Sequence, residues 1–101
     1  MSSSQAQRLK GKTVVITGAS SGIGKSVALE FARTQPDDLK LVITARRIDT
    51  LKDVAKEING FAKGVKVHPV KLDVSKPEEI QNFVGQLPDE FNEVDVLVNN
   101  A

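Results

Sequence analysis

The stretch Thr13-Val14-Val15-Ile16-Thr17-Gly18-Ala19-Ser20-Ser21-Gly22-Ile23-Gly24 constrains this chain more than any other. It opens as a short apolar, β-branched run, the composition of a strand buried on both faces. It then turns through three glycines and leaves as a segment in which Val27, Ala28, Phe31 and Ala32 recur at helical spacing. Strand, glycine-rich turn and helix start together make an anion site, because the first backbone N–H groups of a helix point outward unpaired. The glycines have separate roles: Gly18 lets the chain turn, Gly22 lets a phosphate approach the backbone, and Gly24 lets helix and strand pack closely. The hydroxyls of Ser20 and Ser21 add hydrogen bonds to phosphate or sugar.

The rest of the chain alternates in the same way. A strand is expected over about 39–45, delivering Arg46-Arg47 to its C-terminal end. A helix follows from Asp49 or a neighbour, with Ile48, Leu51, Val54, Ala55 and Ile58 along one face and a stop at Asn59-Gly60. Gly64 leaves room for a short linker. Val65 to Leu72 alternates apolar with polar residues, as a peripheral strand does, and its His68 reads as a solvent-facing filler. Ser75-Lys76-Pro77-Glu78 announces a third helix, with Ser75 as N-cap and Glu78 three positions on. Ile80, Phe83, Val84 and Leu87 form its stripe, Pro88 helps to stop it, and Val94 to Val98 is a fourth strand. Strands alternating with helices mean a parallel sheet with right-handed crossovers and helices on both faces.

A second phosphate motif overlaps the first. Ala19 to Ser26 fits a relaxed P-loop pattern ending in Gly-Lys-Ser. A P-loop needs Lys25 on phosphate, Ser26 on Mg²⁺ and an Asp closing another apolar strand. The last strand instead ends in Asn99-Asn100, and Asp73 follows a run broken by Lys66, His68 and Lys71. That reading is the weaker one.

Thr17-Gly18-x-x-x-Gly22-x-Gly24 resembles the coenzyme loop of the short-chain dehydrogenases/reductases. The resemblance extends along the chain. Leu72-Asp73-Val74 is similar to the family's Asp-Val step, which would set Asp73 against the adenine amino group, with Val74 beside it. Asn99-Asn100-Ala101 is similar to the start of the Asn-Asn-Ala-Gly motif, placing Asn100 and Ala101 near the coenzyme ribose. Thr44-Ala45-Arg46-Arg47 with Leu87 to Phe91 is similar to the fungal NADP-dependent dehydrogenases of serine and related 3-hydroxy acids. The resemblance implies a Rossmann-like sheet of order 3-2-1-4 and a coenzyme site of Gly18, Ser20, Ser21, Gly22, Ile23, Gly24, Arg46, Arg47, Asp73, Val74, Asn100 and Ala101. A ligand would lie where the strand order reverses, beyond the carboxyl ends of the strands.

The residues choose the nucleotide. An NAD-selective site wants a carboxylate about twenty residues past the loop. Here that position carries Arg46-Arg47. A guanidinium grips the extra 2′-phosphate of NADP, which a carboxylate repels. Arg46 is the expected contact and NADP the expected coenzyme.

The family's catalytic Tyr, Lys and Ser have no assigned counterpart, and the sequence contains no tyrosine. No residue is nominated as catalytic. The expectation is therefore an arm over residues 1–11 and a partial NADP-binding domain over 12–101, truncated after the fourth strand and inactive alone. Its parent would act on a small hydroxy or keto substrate. A non-catalytic dinucleotide- or partner-binding module is the alternative. Strand four would be left as an exposed edge. A net charge of +1 argues against a dedicated nucleic-acid or membrane-surface protein. Without cysteine there is no thiolate metal site, and no apolar run approaches a membrane span. A cytoplasmic protein is the default, and a complete one is free to form a homo-oligomer.

Overall fold

The computed structural model of the chain describes residues 11–20, 22–73, 76–91 and 93–100. The expected arm, apart from Gly11, and Ser21, Val74, Ser75 and Ala101 lie outside the described residues. Strands β1 (Thr13–Ile16), β2 (Leu39–Ala45), β3 (Val65–Lys71) and β4 (Val96–Val98) alternate with helices α1 (Gly22–Thr34), α2 (Ile48–Phe61) and α3 (Pro77–Phe83). All pairings are parallel, and the strand order is β3-β2-β1-β4, as the resemblance implies. The order reverses between β1 and β4.

Alternation along the strands sorts the core into two layers. Val14, Ile16, Leu41 and Ile43 face α1 and α2, meeting Ala28 and Ala32 of α1 and Leu51, Val54 and Ile58 of α2. Alanines on α1 let its backbone lie close to the sheet. Val15 and Val42 face the other way, against Phe83, Leu87 and Phe91. Each buried Ile or Leu contributes about 1.5–3 kcal/mol relative to exposure, so the larger first layer carries most of the stability. Only α3 and the turns after it cover the second face among the described residues. Leu97, whose register partner is Val15, is consequently 61% exposed on β4.

Several boundaries differ from expectation, each for a physical reason. The fourth strand starts at Val96 rather than Val94, because a side chain replaces the ladder below it. The Thr13 N–H donates to Asp95 Oδ2 (2.9 Å), while the Asp95 N–H donates to the Thr13 carbonyl (2.9 Å). Helix α2 runs through the expected stop to Phe61. Gly60 does not take the left-handed conformation that makes glycine a terminator, and the Ala62 N–H still reaches the Ile58 carbonyl at 2.8 Å. Gly64, expected as slack, is tightly packed: a Cβ there would collide with the Asp37 carbonyl. Helix α3 is shorter than its apolar stripe and tightens to a 3₁₀ turn over Val84–Gln86. A second such turn, Asp89–Phe91, then swings Phe91 into the core.

His68 is no solvent-facing filler. It is half-buried, and its ring stacks on Phe91 with centroids 5.2 Å apart and planes 22° from parallel. Parallel pairing puts it on the same face as Val42, so the ring extends the smaller apolar layer. No helix among the described residues is long and apolar enough to cross a membrane.

Candidate functional site

The carboxyl ends of the four strands carry the segments singled out from sequence. After β1 the glycine loop takes two left-handed turns, at Gly18 (φ +62°) and Gly22 (φ +61°). The two glycines answer different demands. A Cβ on Gly18 would collide with the Asn100 carbonyl, whereas one on Gly22 would meet nothing within 4 Å. Backbone conformation alone requires glycine at 22, and the space beside it is open to a ligand. Gly24 packs against the Gly18 carbonyl and lies close enough to the Asn100 side chain that a Cβ would stand 2.7 Å from its Nδ2. Its close contact is thus with the loop itself and the end of β4.

Helix α1 begins at Gly22 with no acidic residue in its first turn, so nothing there repels an anion at its positive end. Ser20 is half-buried and Ile23 is 72% exposed at the rim. Ala19 is fully buried, and its N–H donates to the Thr44 carbonyl at 2.9 Å, tying the loop to β2.

Thr17, which sequence reading left without a role, joins the two sides of the switch point. Its N–H donates to the Val98 carbonyl (3.0 Å), and its hydroxyl accepts from the Asn100 N–H (2.8 Å). The same hydroxyl lies 3.1 Å from Asn99 Oδ1 and 3.4 Å from the Val98 carbonyl, either of which takes its proton. Asn100 Nδ2 in turn donates to the Gly18 carbonyl at 3.4 Å. Asn100 is therefore held against the glycine loop through both backbone and side chain. The available signal was a hydroxyl residue at the end of a buried strand, where a polar side chain needs a partner. Thr44 is the counter-example: its buried hydroxyl has no hydrogen-bond partner among the described residues.

The structure separates the two arginines. Arg46 lines a cleft of about 350 Å³ with Lys71, Asp73, Lys76 and Glu79. Arg47 stands at the N-cap position of α2 in extended conformation (φ −112°, ψ 115°), where its carbonyl accepts the Thr50 hydroxyl at 3.0 Å. Its side chain makes no capping bond, and it does not line the cleft. Among the described residues Arg46, Lys71 and Lys76 form no ion pair, although four other cations do. Three cations against the two carboxylates Asp73 and Glu79 leave the cleft with a net positive lining, which attracts an anion. Asp73 is half-buried in the cleft wall, with its N–H bound to Glu79 Oε2 at 3.0 Å.

Lys25, the residue on which a P-loop depends, is engaged elsewhere. Its Nζ lies 3.4 Å from Glu57 Oε2 on α2. Of the expected site, Gly18, Ser20, Gly22, Ile23, Gly24 and Asn100 come together at the loop, and Arg46 and Asp73 share the neighbouring cleft. Ser21, Val74 and Ala101 lie outside the described residues.

Known proteins resemble this chain in sequence and fold. The sequence pattern of the family described as short chain dehydrogenase matches residues 12–101. An NADP-dependent 3-hydroxy acid dehydrogenase of Schizosaccharomyces pombe is 50% identical over 94 residues, covering 93% of this chain and 35% of the relative. Human retinol dehydrogenase 13 is 36% identical over 93 residues, covering 92% of this chain and 27% of the relative. Among solved structures, L-sorbose reductase from Gluconobacter frateurii, complexed with NADPH and L-sorbose, superimposes with a TM-score of 0.80 at 39% identity, over 92% of this chain and 34% of that one. A metagenomic short-chain oxidoreductase in complex with NADP gives 0.78 at 33% identity, over 92% and 40%. The chain spans about a third of the length of the first of these relatives.

Proposed function

The chain belongs to the short chain dehydrogenase family, and from that premise we propose that it forms the coenzyme-binding part of an NADP-dependent oxidoreductase. The observation that carries the proposal is the pairing of an open, acid-free helix start at Gly22 with the neighbouring Arg46 cleft, both at the carboxyl ends of the strands where their order reverses. The residues fit the coenzyme in two respects. A phosphate can approach the Gly22 backbone, because no other described residue lies within 4 Å of the side a Cβ would fill. A second phosphate finds Arg46, which forms no ion pair among the described residues although Asp73 and Glu79 line the same cleft.

Each segment then has a task. The amides of Gly22 to Gly24 bind pyrophosphate, assisted by Ser20 and Ser21. Arg46 holds the 2′-phosphate, with Arg47 a secondary contact from the entrance of α2. Asp73 and Val74 receive the adenine, and Asn100 and Ala101 border the ribose, with Ile23 at the rim. NADP supplies hydride acceptance, and NADPH hydride donation. The substrate of the complete protein is a secondary alcohol or 3-hydroxy acid, or the matching carbonyl, a choice supported by the 50%-identical relative. No residue of this chain is proposed as a proton-transfer group.

Calorimetric titration of the complete protein tests the proposal. NADP⁺ is expected to bind about thirtyfold or more tightly than NAD⁺, the contribution of one well-placed phosphate–guanidinium pair. Equal affinities would reject the choice of coenzyme. Tight Mg²⁺-dependent ATP binding with no response to either dinucleotide would reject the proposal outright.

A further inference from the structure

We infer that Glu79 is a positioning residue for adenine binding: its carboxylate holds the Asp73 backbone in place from the first turn of α3. The inference rests on the NADP reading above and adds a residue to it. Past Lys71 the sheet gives the chain one last backbone bond, from the Leu72 N–H to the Ala45 carbonyl at 2.9 Å. Asp73 is the next residue, beyond the reach of the ladder. Its two backbone groups are taken over by the start of α3. The Asp73 N–H donates to Glu79 Oε2 at 3.0 Å, and the Asp73 carbonyl accepts from the Lys76 N–H at 3.1 Å.

With both backbone groups engaged, the Asp73 side chain keeps its place in the cleft wall that also contains Arg46. The spacing from Ser75 points to Glu78 as the helix-start acid, and Ser75 lies outside the described residues. The helix begins at Pro77, so Glu79 is the third residue of its first turn, and it reaches back to Asp73. A carboxylate accepting a backbone N–H makes a stronger bond than a neutral acceptor. The bond is exposed, so water replaces part of it when the acid is removed. What is lost is mainly the fixed position of Asp73, and therefore affinity for adenine rather than for the whole coenzyme.

The experiment separates these contributions with two half-coenzymes. In the complete protein, dissociation constants for 5′-AMP, which carries adenine, and nicotinamide mononucleotide, which does not, are measured for the wild type, Glu79→Ala and Glu79→Gln. Glu79→Ala is expected to weaken 5′-AMP about fivefold and leave nicotinamide mononucleotide unchanged. Glu79→Gln keeps an acceptor oxygen and should restore 5′-AMP binding to within about twofold. An alanine variant that binds 5′-AMP like the wild type would overturn the inference while leaving the NADP reading intact. Equal loss of both ligands would overturn it too, by revealing a general structural role. A wild-type protein that binds neither nucleotide nor NADP⁺ would overturn the NADP reading and this inference together.

Discussion

Arg46→Asp is expected to reverse the coenzyme preference of the complete protein, from NADP⁺ to NAD⁺. The substitution removes a guanidinium from the cleft and places a carboxylate at the position from which NAD-selective sites receive the ribose hydroxyls. Losing the phosphate pair costs about 2–4 kcal/mol, by analogy with close charge pairs at interfaces. That corresponds to roughly thirty- to several-hundred-fold in NADP⁺ affinity. NAD⁺ should be unaffected or improved, because it has no 2′-phosphate to repel. Arg47→Asp is the internal comparison. Arg47 stands at the entrance of α2 outside the cleft, so its removal should shift the ratio by far less. Dissociation constants for the two dinucleotides at low and moderate salt measure both effects. An Arg46 variant with an unchanged ratio would remove Arg46 from the site.

The second large effect is expected at Gly18, and its contrast with Gly22 separates folding from binding. Gly18→Ala forces a side chain into left-handed backbone and drives its Cβ into the Asn100 carbonyl. The conformational penalty is about 1–2 kcal/mol, and overpacking adds about 1–3 kcal/mol. A loss of about 3 kcal/mol is a large part of the stability of a small domain, so the denaturation midpoint should fall sharply. Gly22→Ala incurs the conformational penalty without the collision, since nothing lies within 4 Å. It should fold with a loss of about 1 kcal/mol, yet lose coenzyme affinity because its methyl group fills the space a phosphate needs. Chemical denaturation paired with NADP⁺ titration distinguishes the two variants. Equal destabilisation by both would contradict the packing of Gly18 on Asn100.

The fold was legible because its signals are local and mutually consistent. The β-branched run before Gly18 and the mostly apolar run Leu39 to Ala45 each read as a strand, and the helix faces of α1 and α2 repeat at the right spacing. What escaped depends on partners far along the chain. The Thr17 hydroxyl is bound by an N–H 83 positions away, and Asp95 completes the ladder of Thr13 across 82. No local pattern announces such a bond. Gly60 misled because glycine stops a helix only where it takes positive φ, and packing of Ile58 and Ala62 carried α2 one residue further. His68 misled because Phe91, its stacking partner, reaches it through a 3₁₀ turn that the Pro88-Asp89-Glu90 sequence marks only as a break.

The site was legible to a similar degree. Arg46 and Arg47 are neighbours in sequence but are split by the bend between β2 and α2, and periodicity does not say which one faces the cleft. Glu79 was missed because the spacing from Ser75 points to Glu78, and nothing in that pattern says that the next acid reaches back to Asp73. The surroundings of the three glycines differ, as separate roles require, although Gly24 meets the loop and Asn100 rather than the strand face.

The central claim is that one ligand bridges the helix start at Gly22 and the cleft at Arg46. Amide and side-chain NMR shifts of the complete protein, followed during titration with NADP⁺, examine that directly. The expected result is concerted movement of Gly18, Ser20, Gly22, Gly24, Arg46, Asp73 and Asn100 with a single dissociation constant. Silence at Gly22 and Arg46, with changes confined to Lys25, Glu57 or the outer faces of the helices, would contradict it.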